Sequence, residues 1–458
     1  MTADTIQFVD AISSSPTVRL DINEQVSNWW TDFDPGSPRL RRASSANAMT
    51  DGIHVSSSSY DSRVLTFKSL LRDTTQDALA TRFQALQREL DRPSNLIKYQ
   101  PFGATKPVFF KTFRSDMSAI RVMKVSAATH ELEFEVLAEP FALGLMETIS
   151  VGTVNNDPAH ATNGCYFDIT AASVIGDVAT PCVIMDTVVS TFYGYWARKA
   201  TGTPSDMVMF YQFDTGWTLS SFSNPGGGPD ASMSGTGTNN YIRSSAASAS
   251  AFRTITGTDA ERFARAGEWR VIVTARKSAG ADVWELAMDP ADGPVSTVTV
   301  EGGSNNRVLV DMGVMSFGGG VRAGDNFTTA PAPDFLIEFA ATRVSGAGTL
   351  DLDCVQFLPA TECLGLFSVS ASASEYQVFD STRESTYVTE NAGTLAAGTM
   401  NVNAKGEVSG GFISLVPNQT NRIYWLRHDL TSLIVKADTS SLTVYYWPRY
   451  IFIRPSAT

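Results

Sequence analysis

Glu131-Leu132-Glu133-Phe134-Glu135-Val136-Leu137 decides the reading of the N-terminal third. Leu132, Phe134 and Val136 alternate with Glu131, Glu133 and Glu135. A strict period of two marks a strand with one face in a core and the other toward water or a neighbouring subunit. Upstream, Val64, Thr66, Lys68 and Leu70 alternate with Leu65, Phe67, Ser69 and Leu71, which predicts a second strand. The β-formers of Pro107-Val108-Phe109-Phe110-Lys111-Thr112-Phe113 predict a third. Between these strands lies the one long amphipathic helix, from about Thr74 to Leu90. Leu79, Phe83, Leu86 and Leu90 share one face of it. Thr74 is placed to cap its first turn, with Asp77 near the positive end of the dipole. Asp91-Arg92-Pro93 ends it, because the residue before proline avoids helical angles. The Leu79, Phe83, Leu86, Leu90 stripe is expected to pack on the sheet, with Arg82 and Arg88 facing outward. The turn at Glu139-Pro140-Phe141 then leads out of an α+β domain over residues 1–148.

From about residue 149 the chain reads as all-β. Short apolar runs recur between Gly, Asn, Asp and Pro clusters. Examples are Met207 to Phe213, Trp269 to Ala275, Phe335 to Phe339 and Leu350 to Phe357. That density predicts a β-sandwich or jelly roll over 149–360, then a C-terminal β module over 361–458. An alternative makes 361–458 the second half of a domain begun near residue 150, with the central block inserted. Consecutive domains are the simpler expectation. A Gly/Ser/Asn-rich stretch between Ser220 and Ser250 is expected to be a long surface loop. The fold class is therefore mostly β: an α+β N-terminal domain followed by β-sandwich modules.

At roughly 150 residues per domain, 458 residues imply about three domains. The net charge of −12 opposes nucleic-acid binding, which needs a basic footprint. The one basic cluster, Arg39, Arg41 and Arg42, reads as a solvated arm or a subunit contact. Cys165, Cys182, Cys354 and Cys363 show no C-x-x-C spacing and read as free thiols. No apolar run of 18 residues predicts a membrane span, and the N-terminus does not read as a signal peptide.

Catalytic constellations are not apparent. His54, His130, His160 and His428 stand far apart and form no H-x-x-x-H or H-E-x-x-H pair. Ser316 lacks the first glycine of a nucleophile elbow, since Val314 stands there. Asp351 and Asp353 alternate on a strand, about 7 Å apart on one face by ideal geometry. That spacing suits a pair of glycosidase carboxylates, or a calcium ligand set, but structural roles are the expectation. Aromatic residues offer a sugar-stacking alternative. Phe192, Tyr193, Tyr195 and Trp196 cluster, and Trp217, Tyr241 and Trp284 lie in the same block. Of these, Trp217, Tyr241 and Trp284 are the candidate carbohydrate-binding residues. No cofactor, metal or catalytic residue is expected.

Three passages together resemble the distal tail proteins of long-tailed bacteriophages. Asp73 to Phe113, followed by Leu137-Ala138-Glu139-Pro140-Phe141-Ala142, is similar to their N-terminal belt domain. Leu415-Val416-Pro417-Asn418-Gln419-Thr420-Asn421-Arg422-Ile423 resembles the pro-gly-x-asn hairpin of their galectin-like C-terminal domain, with Asn418 where Gly is commoner. Gly267 to Val273 and Gly348 to Pro359 look like strands of a galactose-binding-like jelly roll. The resemblance implies a structural virion subunit, assembled in the bacterial host cytoplasm. Its belt domains would associate into a homo-hexameric ring joining the tail tube to the tail-tip hub. It also allows an alternative role as an adhesin for host-surface polysaccharide, and less readily a polysaccharide-cleaving enzyme.

Overall fold

The computed structural model describes residues 4–24, 29–46, 53–115, 121–155, 166–186, 192–201, 209–213, 216–225, 241–255, 267–290, 295–301, 305, 307–317, 335–360, 363–367, 375–389, 404–405, 407–429 and 439–453. The fold is mostly β, with one α-helix among the described residues.

The N-terminal part runs β1 (Thr5–Val9), β2 (Val18–Asp21), β3 (Trp29–Asp34), β4 (Leu40–Ala46), β5 (Ile53–Tyr60), β6 (Arg63–Arg72), α1 (Gln76–Leu90), β7 (Ser94–Gln100), β8 (Val108–Phe113), β9 (Arg121–Ser126), β10 (Thr129–Ala138) and β11 (Ala142–Leu143). One sheet takes the order β2-β1-β7-β8-β10-β6-β3, with β9 also on β10. Its halves meet through a single register pair, Ala138 with Thr112. Rings from the two halves interlock: Phe33 lies edge-on to Tyr99 at 4.7 Å and to Phe110 at 5.9 Å. β4 and β5 pair only with each other.

The helix starts one residue later than the sequence suggests. Thr75, not Thr74, is the N-cap, and its hydroxyl accepts from the Ala78 N–H at 3.2 Å. Asp73 accepts instead from the Thr74 N–H and from Arg82 Nε at 2.6 Å; these bonds hold its carboxyl below the usual range. Leu79, Leu86 and Leu90 are buried in the core, whereas Phe83 packs against it only half-buried. A residue outside the apolar stripe completes the seat. Glu89 is buried and accepts from Arg19 Nε at 3.0 Å, Arg92 Nε at 2.9 Å and Asn95 Nδ2 at 3.0 Å. Three donors offset the cost of taking that carboxylate out of water.

The chain continues through β12 (Glu147–Asn155), β13 (Tyr166–Ile169), β14 (Thr180–Asp186) and β15 (Phe192–Thr201). Next come β16 (Met209–Gln212), β17 (Thr218–Ser220), β18 (Ile242–Ser244), β19 (Ser248–Ile255), β20 (Gly267–Lys277), β21 (Val283–Pro290), β22 (Ser296–Thr299), β23 (Arg307–Phe317), β24 (Phe335–Ser345) and β25 (Leu350–Pro359). The last are β26 (Cys363–Phe367), β27 (Tyr376–Asp380), β28 (Ser385–Thr389), β29 (Ala404–Lys405), β30 (Glu407–Gly410), β31 (Ser414–Leu415), β32 (Thr420–Asp429), β33 (Thr439–Tyr446) and β34 (Arg449–Tyr450).

The pairings join distant segments. β12 and β14 flank β33, while β13 and β15 flank β32. The two resulting sheets share one core, containing Ile169, Ile184, Ile423, Trp425 and Val444. Among the described residues β16 to β25 pair only among themselves, in two five-stranded sheets ordered β16-β25-β20-β23, with β18 on β25, and β17-β19-β24-β21-β22. They too share a core, built around Trp269, Val273, Trp284, Phe339 and Phe357. Residues 147–446 thus form two sandwiches, the second lying in the connection between β15 and β26. The expected loop between Ser220 and Ser250 is shorter than composition suggests, because β18 and the start of β19 fall within it; residues 226–240 lie outside the described set.

The hairpin before β32 shows how its sequence makes a turn. Pro417 supplies a fixed φ, and Asn418 follows at φ 61°, where Gly is commoner but Asn is tolerated. The fully buried Asn421 closes the loop. Its side chain accepts from the Val416 N–H at 2.8 Å and donates to the carbonyls of Val416 and Gln419 at 2.9 and 3.0 Å.

Candidate assembly site

The alternation in β6 and β10 leaves one complete sheet face to solvent. The registers of β3, β6, β10 and β9 align it in rows. One row reads Asp32, Lys68, Glu133, Arg121, and the next reads Trp30, Leu70, Glu131, Met123. Charge alternates in sign along the first row, and Lys68 lies 3.7 Å from Glu133. Opposite charges on facing strands each add a few tenths of a kcal/mol, up to about 1 kcal/mol. The row ends at two strand edges. Among the described residues β3 pairs only with β6, and β9 pairs only with β10. Every side chain of β9 is exposed, Val122, Met123 and Val125 included. An exposed apolar edge strand is a template for another chain unless something covers it.

Beside β3 the surface opens into a cleft of about 600 Å³, lined by Asp4, Trp30, Asp32, Lys68, Leu70 and Glu131 among others. The segment before β3 covers only the start of its edge: Trp29 donates its N–H to the Glu24 carbonyl, and Thr31 donates its own to Asn23 Oδ1 at 3.1 Å. The second half of the edge carries no such cover among the described residues.

The residues singled out from sequence fare differently. Trp284 is 0% exposed in the core of the second sandwich, so no ring face is open to a sugar. Tyr241 is 7% exposed and lies within 5.3 Å of both Arg243 and Arg276. Trp217 packs half-buried on Phe213 and Phe339. The three rings form no common platform. The side chains of Phe192, Tyr193, Tyr195 and Trp196 lie outside the described residues, as do those of Ser316, His54, His160 and His428.

Asp351 and Asp353 are not a catalytic pair open to substrate; both are buried. Register shifts between Thr274 and Ala275 leave Asp353 unmatched in the pairing of β25 with β20. The bulge falls after Asp353: Leu350 and Leu352 face the core before it and Val355 and Phe357 after it, so both carboxylates keep the face turned from that core. Asp351 is gripped by Arg243, at 2.6 and 2.9 Å, and by Arg276, at 3.0 and 2.7 Å. Asp353 faces Arg307 at 3.4 Å. Among the described residues no group of three potential metal ligands occurs. Cys182, Cys354 and Cys363 are buried and form no disulfide among the described residues, and burial pushes the Cys363 thiol up to about 12. No described helix is long and apolar enough to cross a membrane.

A scan against protein-family models finds no match, and neither does a search of curated proteins. Several solved structures are similar. The Dit protein of phage SPP1, described as a paradigm of the hub adsorption apparatus in phages infecting Gram-positive bacteria, matches 99% of this chain and 100% of its own, at 8% identity and a TM-score of 0.38. A chain of the phage P2 baseplate in its activated conformation with Ca matches 77% of this chain and 98% of its own, at 8% identity and a TM-score of 0.22. The mosquito-larvicidal Cry4Aa toxin of Bacillus thuringiensis matches 79% of this chain and 52% of the toxin, at 8% identity and a TM-score of 0.21.

Proposed function

We propose that this chain is a structural subunit of a bacteriophage tail tip, whose N-terminal parts close a homo-hexameric ring between the tail tube and the tail-tip hub. The carrying observation is the row Asp32, Lys68, Glu133, Arg121, which runs from one open strand edge to the other. Strand direction alternates along β3, β6, β10 and β9, so β9 of one copy can lie antiparallel to β3 of the next. Arg121 then meets Asp32, Met123 meets Trp30, and the alternation of charge continues without a break. A head-to-tail contact of this kind closes a ring when its rotation closes. We further divide the chain into this ring-forming part, a sandwich split between residues 147–201 and 363–446, and an inserted sandwich over 209–359 that radiates outward. The C-terminal hairpin at Pro417-Asn418 supports the resemblance of the split sandwich to a galectin-like domain.

The test is a charge exchange. Arg121→Glu and Asp32→Lys should each reduce rings to smaller species in native mass spectrometry, while the double variant regains them. Rings that survive both single variants, or a double variant no better than either, refute the edge contact. A strictly monomeric wild-type protein absent from virions refutes the whole reading.

A second reading, glycan binding in host adsorption, has one observation in its favour. The outer face of the β17-β19-β24-β21-β22 sheet presents Thr218, Ser248, Thr297, Thr299 and Thr342 to solvent, with Phe252 38% exposed among them. Hydroxyls and one ring could meet a sugar, whereas Trp217, Tyr241 and Trp284 are already packed. On a glycan array, Phe252→Ala should lower binding at least about tenfold, a typical hot-spot loss. Absence of any wild-type signal ends this reading.

A further inference from the structure

The segment after β33 crosses from the split sandwich to the N-terminal part. Gly144 donates its N–H to the Pro448 carbonyl at 2.8 Å, and β34 adds to β11. Asp177, in the split sandwich, donates its N–H to the Arg449 carbonyl at 2.8 Å. Its carboxylate Oδ2 accepts from the N–H groups of Ile451 and Phe452, at 2.8 and 3.2 Å. Tyr450 and Ile453 pack against the N-terminal core. Residues 448–453 therefore touch both parts.

Beneath them lies an unusual group. Arg63 is 0% exposed, at the start of β6. Its Nη2 donates to the Ile451 carbonyl at 2.6 Å, and its guanidinium lies 5.4 Å from the Phe110 ring centroid. Among the described residues Nε and Nη1 have no hydrogen-bond partner, and no carboxylate forms an ion pair with the group. A buried charge without a counter-charge opposes whatever encloses it. Burial accordingly lowers its pKa to about 10. Closing the strap over Arg63 gains one charged hydrogen bond and strips water from the remaining donors.

We propose that residues 449–453 form a releasable strap between the ring-forming part and the split sandwich, and that the uncompensated guanidinium of Arg63 sets how often it opens. The assignment of a ring-forming role rests on the proposed function; the strap itself does not. Opening frees Tyr450 and Ile453, hydrates Arg63, and lets the two parts turn relative to each other.

Hydrogen exchange on the full chain, followed by mass spectrometry, tests it. In the wild type, the amides of Ile451 and Phe452 should exchange at least about tenfold faster than those of β33 in the sheet centre. Arg63→Met should slow them about tenfold, Arg63→Lys should leave them fast, and Asp177→Ala should speed them further. Strap amides as protected as β33 in the wild type overturn the proposal, whether or not Arg63→Met folds. So does an Arg63→Met protein whose strap exchanges as fast as the wild type. Ring formation measured on the same samples separates this outcome from failure of the assembly reading.

Discussion

Asp351→Ala is expected to destabilise the inserted sandwich strongly while leaving the N-terminal part folded. Asp351 anchors two guanidiniums, and Arg276 is buried beside it. Removing the carboxylate takes from the buried Arg276 its hydrogen bonds at 3.0 and 2.7 Å. Breaking a buried pair in this way costs about 3–5 kcal/mol. A domain's whole stability is about 5–15 kcal/mol, so the loss is a large fraction of it. Denaturant titration, read through tryptophan fluorescence from Trp269 and Trp284, should show an early transition absent from the wild type. A loss below about 1 kcal/mol, typical of an exposed ion pair, would mean that Asp351 is hydrated. The same experiment bears on chemistry, because a catalytic carboxylate could be removed without unfolding its support.

The second large effect lies in α1. Leu86→Ala should cost about 2–5 kcal/mol, the usual loss for a fully buried leucine. Phe83→Ala should cost less than the roughly 3–5 kcal/mol of a fully buried phenylalanine, since its ring is only half-buried. Leu86→Ala is therefore the variant expected to disable both folding and ring formation, and Phe83→Ala the milder one. Thermal scans and native mass spectrometry on the pair would show the order. The reverse order would mean that the helix is rotated about its axis relative to the sheet.

The N-terminal strands and helix were legible because their periods are clean. Val64 to Leu71 and Glu131 to Leu137 alternate faithfully, and three of the four stripe residues of α1 are buried. What pattern could not supply was pairing over long distance. Nothing local to Val444 says that it lies between Ile149 and Ile184, some 260 to 295 residues upstream. Bulges were equally silent: the ladder slips beside Asp353, so the core-facing positions change from Leu350 and Leu352 to Val355 and Phe357. Aromatic residues were ambiguous for a different reason. A tryptophan in a strand serves a core or a ligand with the same neighbours in sequence, and Trp284 serves the core. The assembly row was half visible. The glutamates of β10 announced a polar face, but its continuity with Asp32 and Arg121 required the registers of all four strands. Glu89 and Arg63 could not be foreseen, because burial of a charge depends on partners drawn from elsewhere in the chain.

The place where the second sandwich departs and returns has a consequence for how such a chain can change. β15 and β26 lie side by side, with Ala197 opposite Cys363. The described strands of 209–359 therefore leave and rejoin the host sheet at two neighbouring strands, and Ile272, Leu309 and Leu358 pack beside Cys363 and Tyr424 of that sheet. A tight turn in its place would keep the pairing of the host strands but uncover Cys363 and Tyr424, so any block exchanged there has to refill that contact. Selection can then exchange it while the row Asp32, Lys68, Glu133, Arg121 stays as it is.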